Sequence, residues 1–274
     1  MANRFDLENR TALITGGAGL LGPQHGIGLA LFGSRVILVD IHEPHLELAK
    51  ERILSEVRDA KVDIYKCDIC DEEGVLKLHH LIAQSGQHVD ILVNNAALNP
   101  KMGEPGQACL GSLEEYDIQS LQHEISVGLI GSVICSKIFG SAMAKRGNGV
   151  LIHIASDLAI IAPDHRIYSE TERIEDVTNF KPVGYSIVKS SLLGLSRYLA
   201  TYWAHKGVRS NCLVPGGVFN NQPEPLVRNI CKRVPLQRMA ESHEYREALA
   251  FLASDASSYM TGQQLVIDGG RSCW

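Results

Sequence analysis

A short apolar run from Thr11 to Thr15 opens directly into Thr15-Gly16-Gly17-Ala18-Gly19-Leu20-Leu21-Gly22, and an apolar segment follows through Ile27 to Phe32. No other feature narrows the possible folds as far. A buried strand, a glycine turn and a helix, in that order, begin a nucleotide-binding βαβ unit. Gly17, Gly19 and Gly22 satisfy G-x-G-x-x-G, and Gly16, Gly19 and Gly22 satisfy the alternative G-x-x-G-x-x-G. Under either spacing the missing side chains let the backbone approach a pyrophosphate, whose charge the helix N-terminus favours. The competing reading is a tight turn with no ligand, and the flanking strand and helix argue against it.

The rest of the chain keeps alternating. Arg35 to Asp40 reads as a buried parallel strand, and Pro44 then sits in the first turn of a helix carrying Leu46, Ala49, Ile53 and Val57. Val62 to Lys66 is a third strand, and Asp71 caps a helix that ends at Gly86. Asp90 to Asn94 and Val150 to Ile154 are the next strands, separated by a long helix opened by Ser112 and Glu115 in capping-box spacing. A second long helix runs from Val183 to Ala204, a strand from Arg209 to Val214, a helix opens at Ser242, and Gln264 to Ile267 is a final strand. This is α/β alternation, which predicts a single doubly wound Rossmann domain over residues 1–274, with a parallel sheet of about seven strands and helices on both faces. Three long loops, 97–111, 158–182 and 216–240, follow strand ends on the carboxyl edge, where such sheets bind ligands.

Composition removes several function classes. The net charge is -5 and the 26 Lys and Arg residues are scattered, so there is no basic footprint for nucleic acid. No uninterrupted apolar run reaches the roughly 18 residues of a membrane span. Met1 to Asn9 lacks a hydrophobic leader region, so the expected location is the cytoplasm. The seven cysteines are odd in number and mostly embedded in apolar patterns, as reduced core thiols are. Cys67 and Cys70 form one C-x-x-C pair without a second, so no metal site is expected.

Asp40 ends the second strand, 18 residues after Gly22. A carboxylate there accepts from both ribose hydroxyls of NAD and repels the 2′-phosphate of NADP, so NAD is favoured. Asp68 follows the third strand and Asn94-Asn95-Ala96-Ala97 the fourth. The asparagine amides suit either a tie between loops or a cofactor contact. Tyr185 and Lys189 lie four apart on one helix face. A phenol near pKa ~10 is a poor base at neutral pH. A neighbouring ammonium and the positive nicotinamide ring favour its phenolate. Alone the pair is weak; its weight comes from lying on the helix after a strand that leads to Ser156.

Taken in order, the Thr15 to Gly22 loop, Asp40, Asp68, Asn94 to Ala97, Ser156, Tyr185 with Lys189, Pro215-Gly216 and Asp268-Gly269 make the whole chain resemble the short-chain dehydrogenase/reductase family. The resemblance implies Tyr185 as general acid/base, Lys189 as the group that lowers its pKa and holds the nicotinamide ribose, and Ser156 as the partner of the reacting oxygen. It implies cofactor contacts from Gly16, Gly19, Leu20, Leu21 and Gly22, from Asp40 and Ile41, and from Asn95, Ala96 and Ala97. Asp68 and Ile69 would lie against the adenine, Asn95 at a ribose, Pro215 and Gly216 beside the nicotinamide, and Val218 at its carboxamide. Family members commonly form homodimers or homotetramers through two long helices, here those around Glu124 and Leu192.

The chain departs from the family pattern in three places. The family often has a relay asparagine where this sequence has Gly128. Ser156 and Tyr185 stand 29 positions apart, and the long insertion between them carries Asp164, His165, Arg166, Tyr168, Arg173 and Lys181, which suits a polar substrate. The glycine spacing is similar to that of the sugar-nucleotide branch. With the insertion, it looks most like bacterial members of nonulosonic-acid and flagellin-glycan pathways, thought to act on sugar phosphates or amino sugars. The expectation is NAD-dependent interconversion of a secondary alcohol and a ketone on a small polar substrate. The alternatives are a catalytically silent NAD sensor and a short epimerase or dehydratase of nucleotide sugars.

Overall fold

A computed structural model describes residues 3–99, 112–169 and 173–274. Seven strands, β1 (Thr11–Thr15), β2 (Arg35–Asp40), β3 (Val62–Lys66), β4 (Ile91–Asn94), β5 (Gly149–Ile154), β6 (Val208–Pro215) and β7 (Gln264–Ile267), form one sheet. Their order is β3-β2-β1-β4-β5-β6-β7 and every neighbouring pair is parallel. The central strands are buried on both faces, as expected of apolar runs without alternation.

Helices α1 (Gly22–Leu31), α2 (Glu43–Glu56), α3 (Glu72–Gln84), α4 (Ile118–Arg146), α5 (Val183–Trp203), α6 (Glu224–Cys231) and α7 (Arg246–Ala253) connect or flank the strands. Successive β1 residues feed opposite cores. Ile14 joins Ile27, Leu38, Leu46 and Leu249 on one face, and Leu13 joins Ile37, Val75, Phe139 and Trp203 on the other. Helix α4 is long and apolar enough to cross a bilayer by composition, yet it packs along the second of these cores through Ile134, Phe139 and Met143.

The strand order reverses between β1 and β4. From β1 the chain winds outward through β2 and β3, then returns to the other side of β1. Crossovers leave in opposite directions there and open a crevice above the strand ends. The register aligns that edge: Thr15 pairs with Val39, Ile14 with Val93, and Asn94 with His153.

Two expected features are corrected. The long helix starts at Ile118, not at Ser112, because Asp117 is the working cap and accepts from both the backbone N–H and the hydroxyl of Ser120 at 2.8 and 2.9 Å. The loop expected over 216–240 contains α6, begun by Pro225 in its first turn and braced by Glu224 and Arg228 four residues apart at 3.1 Å. Of the loop expected over 97–111, residues 100–111 lie outside the described residues.

Asp71 caps α3 as expected, accepting from the Glu73 N–H at 3.1 Å. Asp71→Ala is expected to cost about 1 kcal/mol. In urea denaturation this would appear as a lower midpoint at unchanged m-value.

Candidate active site

The glycine loop is built so that no side chain stands over it. Gly16 has φ 61°, and a Cβ there would fall 2.8 Å from the Ala96 Cα. A Cβ on Gly22 would fall 2.4 Å from the carbonyl oxygen of Gly17. Helix α1 starts at Gly22, leaving its first N–H groups facing the loop. The Asp40 carboxylate lies beside it, accepting from the Ala18 N–H at 3.1 Å and the His42 N–H at 3.2 Å. Leu20 and Ile41 flank the cradle with exposed apolar side chains that the core does not use, whereas Leu21 packs against the core. Open backbone, a helix start and a carboxylate at the β2 end together fit a dinucleotide.

The remaining sequence-predicted contacts lie along the same edge. Asn95 gives its amide to the Thr15 and Gly16 carbonyls at 2.9 and 3.0 Å, so its side chain ties the β4 turn to the glycine loop. Thr15 Oγ1 accepts from the N–H groups of Asn95 and Ala96 at 3.1 and 3.2 Å, leaving Ala96 and Ala97 along the rim. Asp68 accepts from the Cys70 N–H at 2.8 Å, and Ile69 turns its side chain into the core. Pro215 ends β6, the Gly216 N–H donates to Ile267 at 2.9 Å, and Val218 bridges to Ala240.

Ser156 lies two residues past β5, and Tyr185 and Lys189 occupy the first turns of α5. The Lys189 ammonium is buried and donates to the Ile154 carbonyl at 2.7 Å. Burial pushes it down to about 8. Its Nζ lies 5.8 Å from the centre of the Tyr185 ring. Burial raises the Tyr185 hydroxyl above the ordinary phenol value, while its hydrogen bond with Ser156 pulls it down. The three chosen residues therefore converge around one hydroxyl.

Several contributors escaped the sequence reading. Ser156 Oγ donates to Asp157 at 2.9 Å, and the other oxygen of Asp157 is held by Arg271 at 2.8 Å. This ion pair is deeply buried, the side chains being 10% and 4% exposed. The pair fixes the residue beside the serine from the far end of the chain. Nothing local announces it; an acid next to the serine is its only trace in the sequence. Tyr168, which the sequence reading places in the insertion, is a half-buried phenol, pushed up to about 12 mainly by burial.

Two departures from the family pattern now have a physical form. At Gly128 a Cβ would fall 2.3 Å from Val188 Cγ1, so a valine of α5 fills the space where the relay asparagine would stand. In the insertion, Arg166 is held by Asp164 at 2.8 Å, Asp164 also receives Arg233 at 2.5 Å, and Arg173 faces Glu175 at 3.7 Å. The insertion reaches Tyr185 through Lys181, whose Nζ lies 4.1 Å from the ring centre. Cys67 and Cys70 are each pushed up to about 11, chiefly by burial, and so remain protonated thiols at neutral pH.

Comparison with known proteins agrees with this geometry. The family profile described as Enoyl-(Acyl carrier protein) reductase matches residues 24–272. The chain is 29% identical to a D-threitol dehydrogenase of Mycolicibacterium smegmatis, covering 97% of this chain and 94% of that protein. It is 28% identical to a D-arabinitol 2-dehydrogenase (ribulose-forming) of Candida tropicalis, covering 98% and 95%. The crystal structure of a gluconate 5-dehydrogenase from Burkholderia cenocepacia, in complex with NADP and tartrate, superposes with TM-score 0.83 at 25% identity over 99% of this chain and 98% of that one.

Breaking the buried pair strands a charge. Arg271→Ala is expected to destabilise the fold by roughly 3–5 kcal/mol, measured by chemical denaturation. A loss below about 1 kcal/mol, the range of exposed pairs, would show that Asp157 is not held as described.

Proposed function

The chain belongs to the short-chain dehydrogenase/reductase family of NAD(P)-dependent enzymes acting on alcohol groups, and we propose that it uses NAD to interconvert a secondary alcohol and a ketone on a polar, sugar-type substrate. The observation that carries this reading is the convergence of Ser156, Tyr185 and a Lys189 ammonium anchored on the Ile154 carbonyl.

Gly16, Gly19, Gly22 and Asp40 would hold the cofactor, with Ala96, Ala97, Pro215, Gly216 and Val218 along its path. When bound, NAD(H) supplies the hydride acceptor or donor. The chain's own residues manage the proton. Tyr185 takes it from the carbinol as the C–H bond is broken and returns it in the reverse direction. Ser156 holds the same oxygen. Lys189 opposes the burial that otherwise keeps Tyr185 protonated, because a cation beside a phenolate favours the charged form. With Val188 filling the space at Gly128, the relay behind Lys189 uses no side chain from that position.

NAD over NADP rests on Asp40, whose carboxylate stands beside the loop where a 2′-phosphate would meet like charge. A sugar-type substrate rests on the polyol-oxidising relatives and on the polar insertion above Tyr185. The Thr15 to Pro23 loop adds support for a narrower kinship with nonulosonic-acid and flagellin-glycan enzymes acting on sugar phosphates or amino sugars. Exposed Ile130 and Val133 on α4, and Ile187, Tyr198 and Tyr202 on α5, support a homodimer or homotetramer closed through these helices.

Tyr185→Phe is expected to lower turnover about 10²–10⁴-fold on a panel of polyols, sugar acids, sugar phosphates and amino sugars while NAD binding, read by fluorescence quenching, persists. Wild-type protein that binds NAD but turns over no member of the panel would support the sensor reading instead. Asp40→Ser is expected to cost NAD on the order of tenfold in kcat/KM, the value of a lost charged hydrogen bond, and to spare NADP. Equal losses for both cofactors would contradict the assignment.

A further inference from the structure

Lys181 closes the insertion, just before Pro182, which caps α5. Its position is held from three directions. Its backbone N–H donates to His165 Nδ1 at 3.1 Å, and the His165 ring meets Phe180 edge-on at 5.2 Å between centroids. Its ammonium donates to Asn99 Oδ1 at 2.6 Å and stands over the Tyr185 ring face, 4.1 Å from its centre. A long lysine on a surface loop ordinarily extends into water. This one is half-buried and laid over the ring of the acid/base.

Most of the charges around it are already paired. On the β5 side, Asp157 is taken by Arg271, and in the insertion Asp164 is taken by Arg166 and Arg233. From α4, Glu124 accepts from the Tyr116 hydroxyl through one oxygen; its other oxygen is buried without a hydrogen-bond partner and acts on Lys181 through space, beyond ion-pair distance. On α5, Lys189 is the other cation, and it is turned to the Ile154 carbonyl. Among the described residues no carboxylate lies within ion-pair distance of Lys181; its partners are a neutral amide and a ring face. A partly buried charge so placed gains most from an anion that arrives with the ligand.

We propose that Lys181 binds an anionic group of the substrate, a carboxylate or a phosphate ester close to the reacting carbinol, so that the enzyme acts on acidic sugar derivatives. The inference rests on Tyr185 being the acid/base and deepens that reading. It selects against neutral polyols, which leave the ammonium with only through-space support from Glu124 and Asp157, and against amino sugars, whose cation Lys181 repels. Burial pushes the Lys181 ammonium down to about 8, with Glu124 and Asp157 opposing the shift. The charge is therefore present below that pH and lost above it, and affinity for an acidic substrate should fall as pH rises through about 8.

Three probes with one carbon skeleton test this: D-gluconate, D-glucitol 6-phosphate and D-glucitol. Each is titrated calorimetrically into the NAD-loaded enzyme and then assayed for turnover. Wild type should bind one of the two acids at least about tenfold more tightly than glucitol, with that advantage fading above pH 8. Which acid wins separates carboxylate from phosphate recognition. Lys181→Met should remove the binding advantage of the acid in calorimetry and abolish its pH dependence, while glucitol affinity stays nearly unchanged; Lys181→Arg should keep the advantage. Tyr185→Phe should still bind the acid, so lost turnover with intact binding would not count against Lys181. Equal affinity for acid and glucitol, no binding of either acid, or an equal loss of affinity for all three probes in Lys181→Met would overturn the proposal.

Discussion

A lysine ammonium inside a protein loses its water, and it persists only where fixed dipoles replace that water. In this chain the replacement is the carbonyl of Ile154, 2.7 Å from Lys189 Nζ. That one hydrogen bond joins the end of β5 to the start of α5. Ser156 lies two residues beyond the carbonyl, and Tyr185 one helical turn before the lysine. The distance between serine and phenol is therefore set by a bond neither of them makes. The insertion between them can vary in length because it is not what brings them together.

The same economy runs along the sheet edge. Parallel strands in register end together, and the reversal of order between β1 and β4 opens a crevice along the edge where β1, β2 and β4 end at Thr15, Asp40 and Asn94. The loops are then fastened to one another by polar ties. Asn95 holds the glycine loop, and Arg271 reaches across the chain to Asp157 beside the serine. Burial makes these ties strong and leaves them costly to break.

Much of this could be read from the residues. Strands β1 and β2 are legible because buried parallel strands are short continuous apolar runs, and the partly buried edge strands β3 and β7 also fall where the pattern places them. The Asp71 cap was visible because its chemistry is local. Ser112 misled for the same reason: the capping-box spacing was present, but Asp117 sits closer to the apolar run and holds the first turn. Helix α6 was hidden in a polar, proline-containing stretch whose apolar residues are too few to show a period. At the site, Ser156, Tyr185 and Lys189 were legible as motif residues. Asp157, Arg271 and Lys181 were not, because their meaning depends on contacts across the fold. The insertion reads as polar in the sequence; in the structure its arginines are paired with acids and its lysine lies over the Tyr185 ring.

Whether this constellation moves a hydride is the central question, and isotope transfer answers it most directly. A sugar-type substrate deuterated at its carbinol carbon is incubated with NAD⁺ and the protein, and the nicotinamide product is examined by mass spectrometry. The account requires one deuterium on the reduced nicotinamide ring and none left at the new carbonyl carbon. Deuterium that returns to the sugar, with no reduced cofactor accumulating, would contradict it and point to epimerase-type chemistry instead.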